Sequence, residues 1–195
     1  MHWRWNVGKT MRILFVLLLG TIMAAIVGVI PAVSAAPASS LEIEASASGG
    51  GHYLVGGSLD VQFAFSAVQY KDGHVAGSFH DRTNDGLGLV DFDADVTCLV
   101  VDRQLGRAWI GGVITANLST SPDFTSAVYQ PGHDIWFRVL DSGHENDQQD
   151  RRTFVGFEGA IPSSAAYCAT RPWAPDNART WPVTRGSITV RKQEE

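Results

Sequence analysis

Residues 57–67 read GSLDVQFAFSA, and this stretch decides the fold class. Apolar side chains occupy every second position of it, at Leu59, Val61, Phe63 and Phe65. Alternation with a period of two is typical of a β-strand that buries one face and exposes the other. The stretch therefore predicts a half-buried strand.

A second strand is predicted after the turn signal at residues 71–73 (KDG). In residues 74–81 (HVAGSFHD), the period of two places Val75 and Phe79 on one face and His74 and His80 on the other. Two such strands joined by a short turn predict a β-hairpin.

A third strand is predicted over residues 90–98, where the even positions are Val90, Phe92, Ala94, Val96 and Cys98. The pattern points Cys98 inward and leaves Asp91, Asp93 and Asp95 as an outer stripe. These aspartates resemble the opening of an EF-hand calcium loop, but Val96 stands where that loop needs Gly. We interpret the stripe as a solvated face; sharing a cation with a neighbouring strand is the alternative.

Four further segments have strand character: residues 107–116 (RAWIGGVITA), 134–141 (DIWFRVLD), 153–159 (TFVGFEG) and 186–192 (GSITVRK). After residue 35 no segment sustains the 3.6-residue apolar period of a helix, so helices should be short or absent. The sequence therefore predicts an all-β fold, an antiparallel sandwich or barrel of seven or eight strands.

The stretch 161–182 differs because it is rich in proline, at Pro162, Pro172, Pro175 and Pro182. Proline at this density does not fit an interior strand. We predict a long loop that wraps over the sheet and is attached through Cys168 to the strand that carries Cys98.

The N-terminus predicts export. Arg4, Lys9 and Arg12 precede an uncharged apolar run over residues 13–30, and small residues around Ala35 suit a signal peptidase, so residues 1–35 form the predicted signal peptide. An uncleaved membrane anchor is the alternative, since about 18 apolar residues can just cross a bilayer. Residues 36–51, which end in SASGGG, read as a flexible lead-in, and residues 52–195 as a single β domain.

The exported part is acidic. Removing Arg4, Lys9 and Arg12 from the 15 basic residues leaves 12 against 20 acidic ones, a formal charge of −8. Such a charge argues against nucleic acid as a partner, and against a membrane except through a retained N-terminal segment. A cationic partner stays open.

Cys98 and Cys168 are the two cysteines of the chain. An even number in an oxidising compartment predicts one disulfide, with two separate buried thiols as the alternative. The expected location is secreted, or attached to the cell envelope if the N-terminal segment stays uncleaved.

The order of segments GGSLDVQFAFSA, GSFHDR, VTCLVV, RAWIGGVIT, IWFRVLDSGHE and RGSITVR resembles the post-COAP-1 family of small secreted bacterial proteins. The resemblance covers about residues 52–191. It implies an exported β fold and a structural role for Cys98 and Cys168, and it implies no activity.

Two polar segments contain candidate sites. In the loop 141–150, Asp141, Glu145, Asp147 and Asp150 offer oxygen ligands for calcium, although a solvated connection fits as well and no other cofactor is expected. His80 and Asp81 form a candidate acid/base pair only if they open into a pocket. His74 and His80 are about 20 Å apart along a strand and cannot share a metal ion.

Four tryptophans are candidates for a sugar-binding platform. Trp109 and Trp136 lie in strand patterns and should be buried, whereas Trp173 and Trp181 are candidate ligand-facing aromatics. The sequence contains no GxSxG, SxxK, HExxH or CxxC motif and no Gly-rich phosphate loop, so we assign no catalytic residue. The leading hypothesis is a non-catalytic binding or structural module; an extracellular polysaccharide hydrolase or lyase and a lipocalin-like carrier are the alternatives.

Overall fold

The computed structural model describes residues 42–143, 148–156 and 160–192, which belong to one compact unit. The predicted signal peptide and the calcium candidates Glu145 and Asp147 lie outside the described residues. Within the described ranges, no helix is long and apolar enough to span a bilayer.

Eight strands account for most of the described chain. They are β1 (Ile43–Val55), β2 (Leu59–Tyr70), β3 (Val75–Asn84), β4 (Leu89–Asp102), β5 (Arg107–Asn117), β6 (Asp134–Leu140), β7 (Arg151–Arg152) and β8 (Trp181–Lys192). One α-helix, α1 (Ser164–Thr170), and three single-turn 3-10 helices (Pro122–Phe124, Ala127–Tyr129 and Pro175–Asn177) lie in the connections.

Each strand pairs antiparallel with the next one in the chain, and β1 also pairs with β8. The hydrogen bonding therefore runs round one closed eight-stranded sheet, in the order of an up-and-down barrel. The predicted all-β antiparallel fold is confirmed, and so are the strands predicted from residues 57–67, 74–81, 90–98, 107–116 and 134–141.

The interior of the closed sheet is filled by aromatic and branched side chains. Phe137 lies near the centre, with its ring centroid 5.2 Å from that of Phe65 and 5.0 Å from that of Phe79, both at edge-on angles. Edge-on contacts of this kind add to the free energy gained by burying the rings. The period of two in β2 and β3 thus places the predicted residues in the core.

One end of the sheet is covered by an aromatic cap formed by Phe124, Tyr129 and Phe154. Phe124 lies between the other two, with ring centroids 5.1 Å from Tyr129 and 5.7 Å from Phe154, and it also contacts Phe92 of β4. The Asn117 side chain donates hydrogen bonds to the carbonyl oxygens of Phe124 and Tyr129 at 2.8 and 2.7 Å. The loop between β5 and β6 is therefore fixed over the core.

The prediction of a flexible lead-in over residues 36–51 is wrong from Ile43 onward, because residues 43–55 form β1. Gly51 pairs with Gly186 of β8 and has φ of +149°. A Cβ atom at Gly51 would lie 1.9 Å from the Arg185 carbonyl oxygen. The glycines are needed for the close contact of two bent strands, and the pairing of β1 on both sides offsets their low strand propensity.

The strand predicted over residues 153–159 is also wrong where that segment is described. β7 comprises only Arg151 and Arg152, and the following Phe154 and Val155 are buried without strand pairing. The apolar residues of this segment pack into the core next to the aromatic cap. A segment whose side chains are buried at the end of a sheet has an apolar sequence pattern that resembles that of a buried strand.

Cys98 does not point inward as predicted, because the pairing of β4 with β5 shifts between Val96 and Cys98. This β-bulge reverses the face on which the following residues lie. Cys98 forms a disulfide with Cys168 of α1, and Leu99 takes the inward position. The predicted disulfide is confirmed.

The predicted loop over residues 161–182 contains α1 and the start of β8. Ser163 caps α1 by accepting a hydrogen bond from Ala166 N, and the helix ends at Arg171, which has a left-handed backbone. The Ser164 hydroxyl donates to the Gly112 carbonyl oxygen at 2.7 Å. The helix is thus attached to β5 by this hydrogen bond and to β4 by the disulfide.

Candidate functional site

Strand β3 carries the polar residues of two separate sites, because neighbouring side chains point to opposite faces. Asp81 is fully buried and lies in the interior, whereas His80 and Arg82 lie on the outer face. The candidate acid/base pair of His80 and Asp81 is therefore wrong: the two side chains are on opposite sides of the sheet.

The interior site is an ion pair between Asp81 and Arg152. Arg152 Nη1 donates to Asp81 Oδ1 at 2.6 Å and also lies 3.4 Å from the hydroxyl of Tyr53. The Tyr53 hydroxyl in turn lies 3.4 Å from the Thr153 carbonyl oxygen. We call Asp81 and Arg152 the buried ion pair.

Aromatic rings surround the guanidinium of Arg152. Its Cζ atom lies 4.0 Å from the ring centroid of Phe137 and 4.9 Å from that of Phe63. Cation–π contacts in a desolvated site each contribute about 2 kcal/mol or more. The rings thus offset part of the cost of burying the cation.

Three atoms of the buried ion pair have no hydrogen-bond partner within the described part of the protein: Asp81 Oδ2, and the Nε and Nη2 atoms of Arg152. Burial raises the pKa of Asp81 above its ordinary value, and the Arg152 guanidinium, which lowers this pKa, does not fully compensate. Burial likewise raises the pKa of the Tyr53 hydroxyl. The site joins β3 to β7, and the side chains around it close it to solvent.

The outer site is centred on His80. Its Nδ1 atom lies 2.9 Å from Asp93 Oδ1, the residue directly opposite on β4. The same Nδ1 lies 3.8 Å from Asp91 Oδ1, and Asp91 Oδ2 lies 3.5 Å from Arg82 Nη1. Pairing Nδ1–H with a carboxylate leaves the Nε2 atom of a neutral His80 as a hydrogen-bond acceptor.

The three aspartates of the predicted outer stripe differ in exposure. The side chain of Asp93 is 51 % exposed and Asp95 is also exposed, whereas that of Asp91 is 5 % exposed. Asp91 is covered because the chain after β5 packs beside it, with Ser119 Oγ accepting a hydrogen bond from Asp91 N. The prediction of a solvated stripe therefore holds for Asp93 and Asp95 and is wrong for Asp91.

An open groove of about 350 Å³ lies on this outer face, across β2 to β5. We call it the outer groove. Its polar lining comes from four strands and consists of Ser66, Ser78, His80, Asp93, Asp95 and Thr115. Such a surface is open to large ligands and offers hydroxyl, imidazole and carboxylate groups together.

The acidic loop does not present its two described carboxylates as free metal ligands. Asp150 accepts backbone hydrogen bonds from Ser142 and Ile188 at 3.0 and 2.7 Å. Asp141 accepts from Gly143 and Val190, both at 2.9 Å. Each of the four carboxylate oxygens thus holds the loop or binds it to β8. The calcium site stays a prediction, since its other two ligands lie outside the described residues.

No other metal centre is formed by the described residues, among which no group of three or more His, Cys, Asp or Glu side chains is placed to hold an ion. His74 lies apart from His80, in the turn before β3, where its ring stacks on Tyr70. The two histidines are therefore in separate places, as the strand spacing predicts.

The tryptophans do not form one platform. Trp109 and Trp136 are buried, as predicted, but on the outer face of the sheet, in a cluster with Tyr167 of α1. Trp173 is half-buried against this cluster, with the guanidinium of Arg107 4.2 Å from its ring centroid. Trp181 packs instead against the interior core. The two candidate ligand-facing aromatics therefore belong to different clusters, and neither lines the outer groove.

In comparisons with known proteins, no protein-family model, no curated protein and no solved structure matches the chain. The resemblance to the post-COAP-1 family stays a prediction. The case for function rests on the geometry of the two polar sites.

Sequence reasoning missed Arg152 and Tyr53, the interior partners of Asp81. One signal was available for Arg152. Arg151 and Arg152 are adjacent, and in a strand within a closed sheet two adjacent side chains cannot both point outward. One arginine therefore had to enter the interior and meet a carboxylate there.

Proposed function

We propose that this protein is a non-catalytic binding module of the extracytoplasmic space and that it binds its ligand in the outer groove. The observation that carries the proposal is the contrast between the two faces of the sheet. The interior is filled by aromatic side chains around a buried ion pair, while the outer groove exposes hydroxyl, imidazole and carboxylate groups together.

The aromatic packing favours this function over the lipocalin-like carrier. A carrier needs an apolar cavity in the middle of its barrel. Here the rings of Phe65, Phe79 and Phe137 meet at the centre, and the aromatic cap covers one end.

The hydrolase alternative has one specific observation in its favour, the hydrogen bond between His80 and Asp93. A carboxylate that orients an imidazole is also part of many catalytic sites. The outer groove, however, is a shallow depression on the face of a sheet. A surface of this form can bind an extended ligand but does not enclose it, whereas a catalytic site generally surrounds the reacting atoms and so strengthens the electrostatic interactions on them.

The disulfide supports the extracytoplasmic compartment of this proposal. A cystine that joins β4 to α1 indicates an oxidising, extracytoplasmic environment. Secretion through the N-terminal segment is part of the proposal, and the acidic character of the exported part fits a soluble role outside the cell.

The test is binding to a panel of cell-wall and extracellular polysaccharides, with variants that separate the groove from the rest of the surface. Ser78 is exposed in the outer groove, so Ser78→Trp should fill it and abolish binding without changing the circular dichroism spectrum. Gln104→Trp, in the exposed turn between β4 and β5, is the matched control and should bind as the parent does. Binding that survives Ser78→Trp would place the ligand elsewhere, and release of reducing ends from a bound polysaccharide would establish the hydrolase instead.

A further inference from the structure

We infer that the outer groove is a site for amino sugars, in which Asp93 and Asp95 bind the ammonium group of the ligand and the neighbouring hydroxyl side chains bind the sugar. The inference rests on the proposed function and names its ligand class. It follows from the charge of the groove, from an unpartnered carboxylate oxygen beside it and from the chemistry of its rim.

The charged lining of the groove is negative. Its carboxylates are those of Asp93 and Asp95, and its lining contains no Lys or Arg. Arg82 does not compensate them, because its guanidinium faces the neighbouring Asp91. Asp93 and Asp95 lie two residues apart on β4, about 7 Å along the strand, so a single cation placed between them is attracted by both.

The second observation is the Oδ1 atom of Asp91, which is buried and lacks a hydrogen-bond partner within the described residues. A buried charged acceptor that lacks a hydrogen-bond partner destabilises the folded state. The nearest donor is His80 Nδ1 at 3.8 Å, which donates instead to Asp93 at 2.9 Å. The imidazole of His80 thus has two carboxylates within reach and satisfies one of them.

A cationic ligand resolves this competition. When an ammonium group binds Asp93, His80 is released and its Nδ1–H is free to turn to Asp91 Oδ1, the acceptor that lacks a partner. The ammonium group then donates to Asp93 in place of His80, and His80 donates to Asp91. The protein loses no hydrogen bond when the cation binds, which favours cationic ligands over neutral ones.

The rim of the groove favours a sugar over a lysine side chain. The hydroxyl groups of Ser66, Ser78 and Thr115 are exposed around the carboxylates, and each can donate and accept hydrogen bonds. The methyl group of Ala64, which lies opposite His80 on β2, is also exposed in the groove and offers a small apolar contact for the carbon face of a sugar ring. A lysine side chain has no hydroxyl groups to use such a rim.

The probes are three tetramers: β-1,4-linked glucosamine, its fully N-acetylated form, and tetralysine. Titration calorimetry should show the glucosamine tetramer binding at least about tenfold more tightly than the acetylated one, since acetylation removes the ammonium charge. Asp93→Asn should weaken glucosamine binding about tenfold. Asp123→Asn is the matched control. It removes the same charge from an exposed residue of the Pro122–Phe124 helix, which is not part of the groove lining, and should leave binding unchanged.

The nitrogen resonances of His80 give a readout that a loss of folding would not imitate. Glucosamine should shift the Nδ1 resonance of the parent protein, and the acetylated tetramer should not. Equal binding of both sugars with loss of both in Ser78→Trp would overturn the amino-sugar inference and leave the proposed function standing. Tighter binding of tetralysine would assign the site to a basic peptide and would also overturn the amino-sugar inference. Absence of binding to all three tetramers would overturn that inference as well, and the proposed binding function would then be tested by the polysaccharide panel alone.

Discussion

Asp81 and Arg152 are 71 residues apart in the chain and meet inside the closed sheet, with 2.6 Å between Asp81 Oδ1 and Arg152 Nη1. Their side chains are at most 1 % exposed. The pair connects β3 to β7, which is only two residues long. Because a buried charge without its partner is costly, the stability of this part of the sheet depends on both residues being present.

Arg152→Met should destabilise the protein by about 3–5 kcal/mol, because it leaves Asp81 buried without a cation. Urea unfolding followed by circular dichroism measures the change. The double variant Asp81→Leu/Arg152→Met replaces both charges by apolar groups and should recover most of the loss. A double variant as unstable as Arg152→Met would show that the arginine acts through its packing against the aromatic rings.

The stability contributed by Asp81 should fall as pH rises. Burial raises the pKa of Asp81 above its ordinary 3.8, so the folded state holds the proton more tightly than the unfolded state. Its contribution is therefore complete below pH 3.8 and is lost as pH rises through the raised pKa. Asp81→Asn cannot titrate and serves as the reference. The free energy of unfolding of the parent minus that of Asp81→Asn, measured by urea unfolding between pH 3 and 8, should decrease with pH; a constant or rising difference would contradict the raised pKa.

Removal of the disulfide should destabilise the protein by about 4 kcal/mol, as expected for a loop closed over 70 residues. The double variant Cys98→Ala/Cys168→Ala tests this by urea unfolding. The tryptophan fluorescence of the folded variant should also move to longer wavelength, because α1 is held less firmly over Trp109 and Trp136. Unchanged fluorescence and stability would mean that the hydrogen bonds of Ser164 are enough to hold the helix.

Gly51→Ala should destabilise the protein by roughly 2–5 kcal/mol, since it combines an unfavourable backbone conformation with a close approach to the Arg185 carbonyl oxygen. Gly50→Ala is the matched control. A Cβ atom there would lie no closer than 3.5 Å to its neighbours, and thermal melting should change little. Equal melting temperatures for the two variants would show that β1 and β8 can separate at Gly51 without cost.

The strands with a regular apolar period were predictable from the sequence. In β2 and in the first half of β4, the inward positions are apolar and most outward positions are polar or small, so burial of one face determines the strand. β1 was not predictable in the same way. Its SASGGG segment has little apolar surface of its own and becomes a strand because β2 and β8 supply hydrogen bonds on both sides.

The candidate site depends on the register between neighbouring strands, which could not be read from the pattern of a single sequence. His80 lies opposite Asp93 because the short turn between Asn84 and Leu89 fixes the pairing of β3 with β4. A shift of one residue would pair His80 with a different side chain on the other face. The single-residue bulge after Val96, which turns Cys98 outward, could not be predicted for the same reason.

The carboxylates of Asp150 and Asp141 affect where the closed sheet opens in the native state. Among the described residues, no strand pairs with β8 beyond Pro182 on the β7 side. The backbone N–H groups of Ile188 and Val190 donate hydrogen bonds to these two side chains instead. A side chain can rotate away without breaking a strand pair. This edge of β8 should therefore open locally at a lower free energy than the rest of the sheet. In native-state hydrogen exchange, the amides of Ile188 and Val190 should lose their protection well before those of β2 and β3.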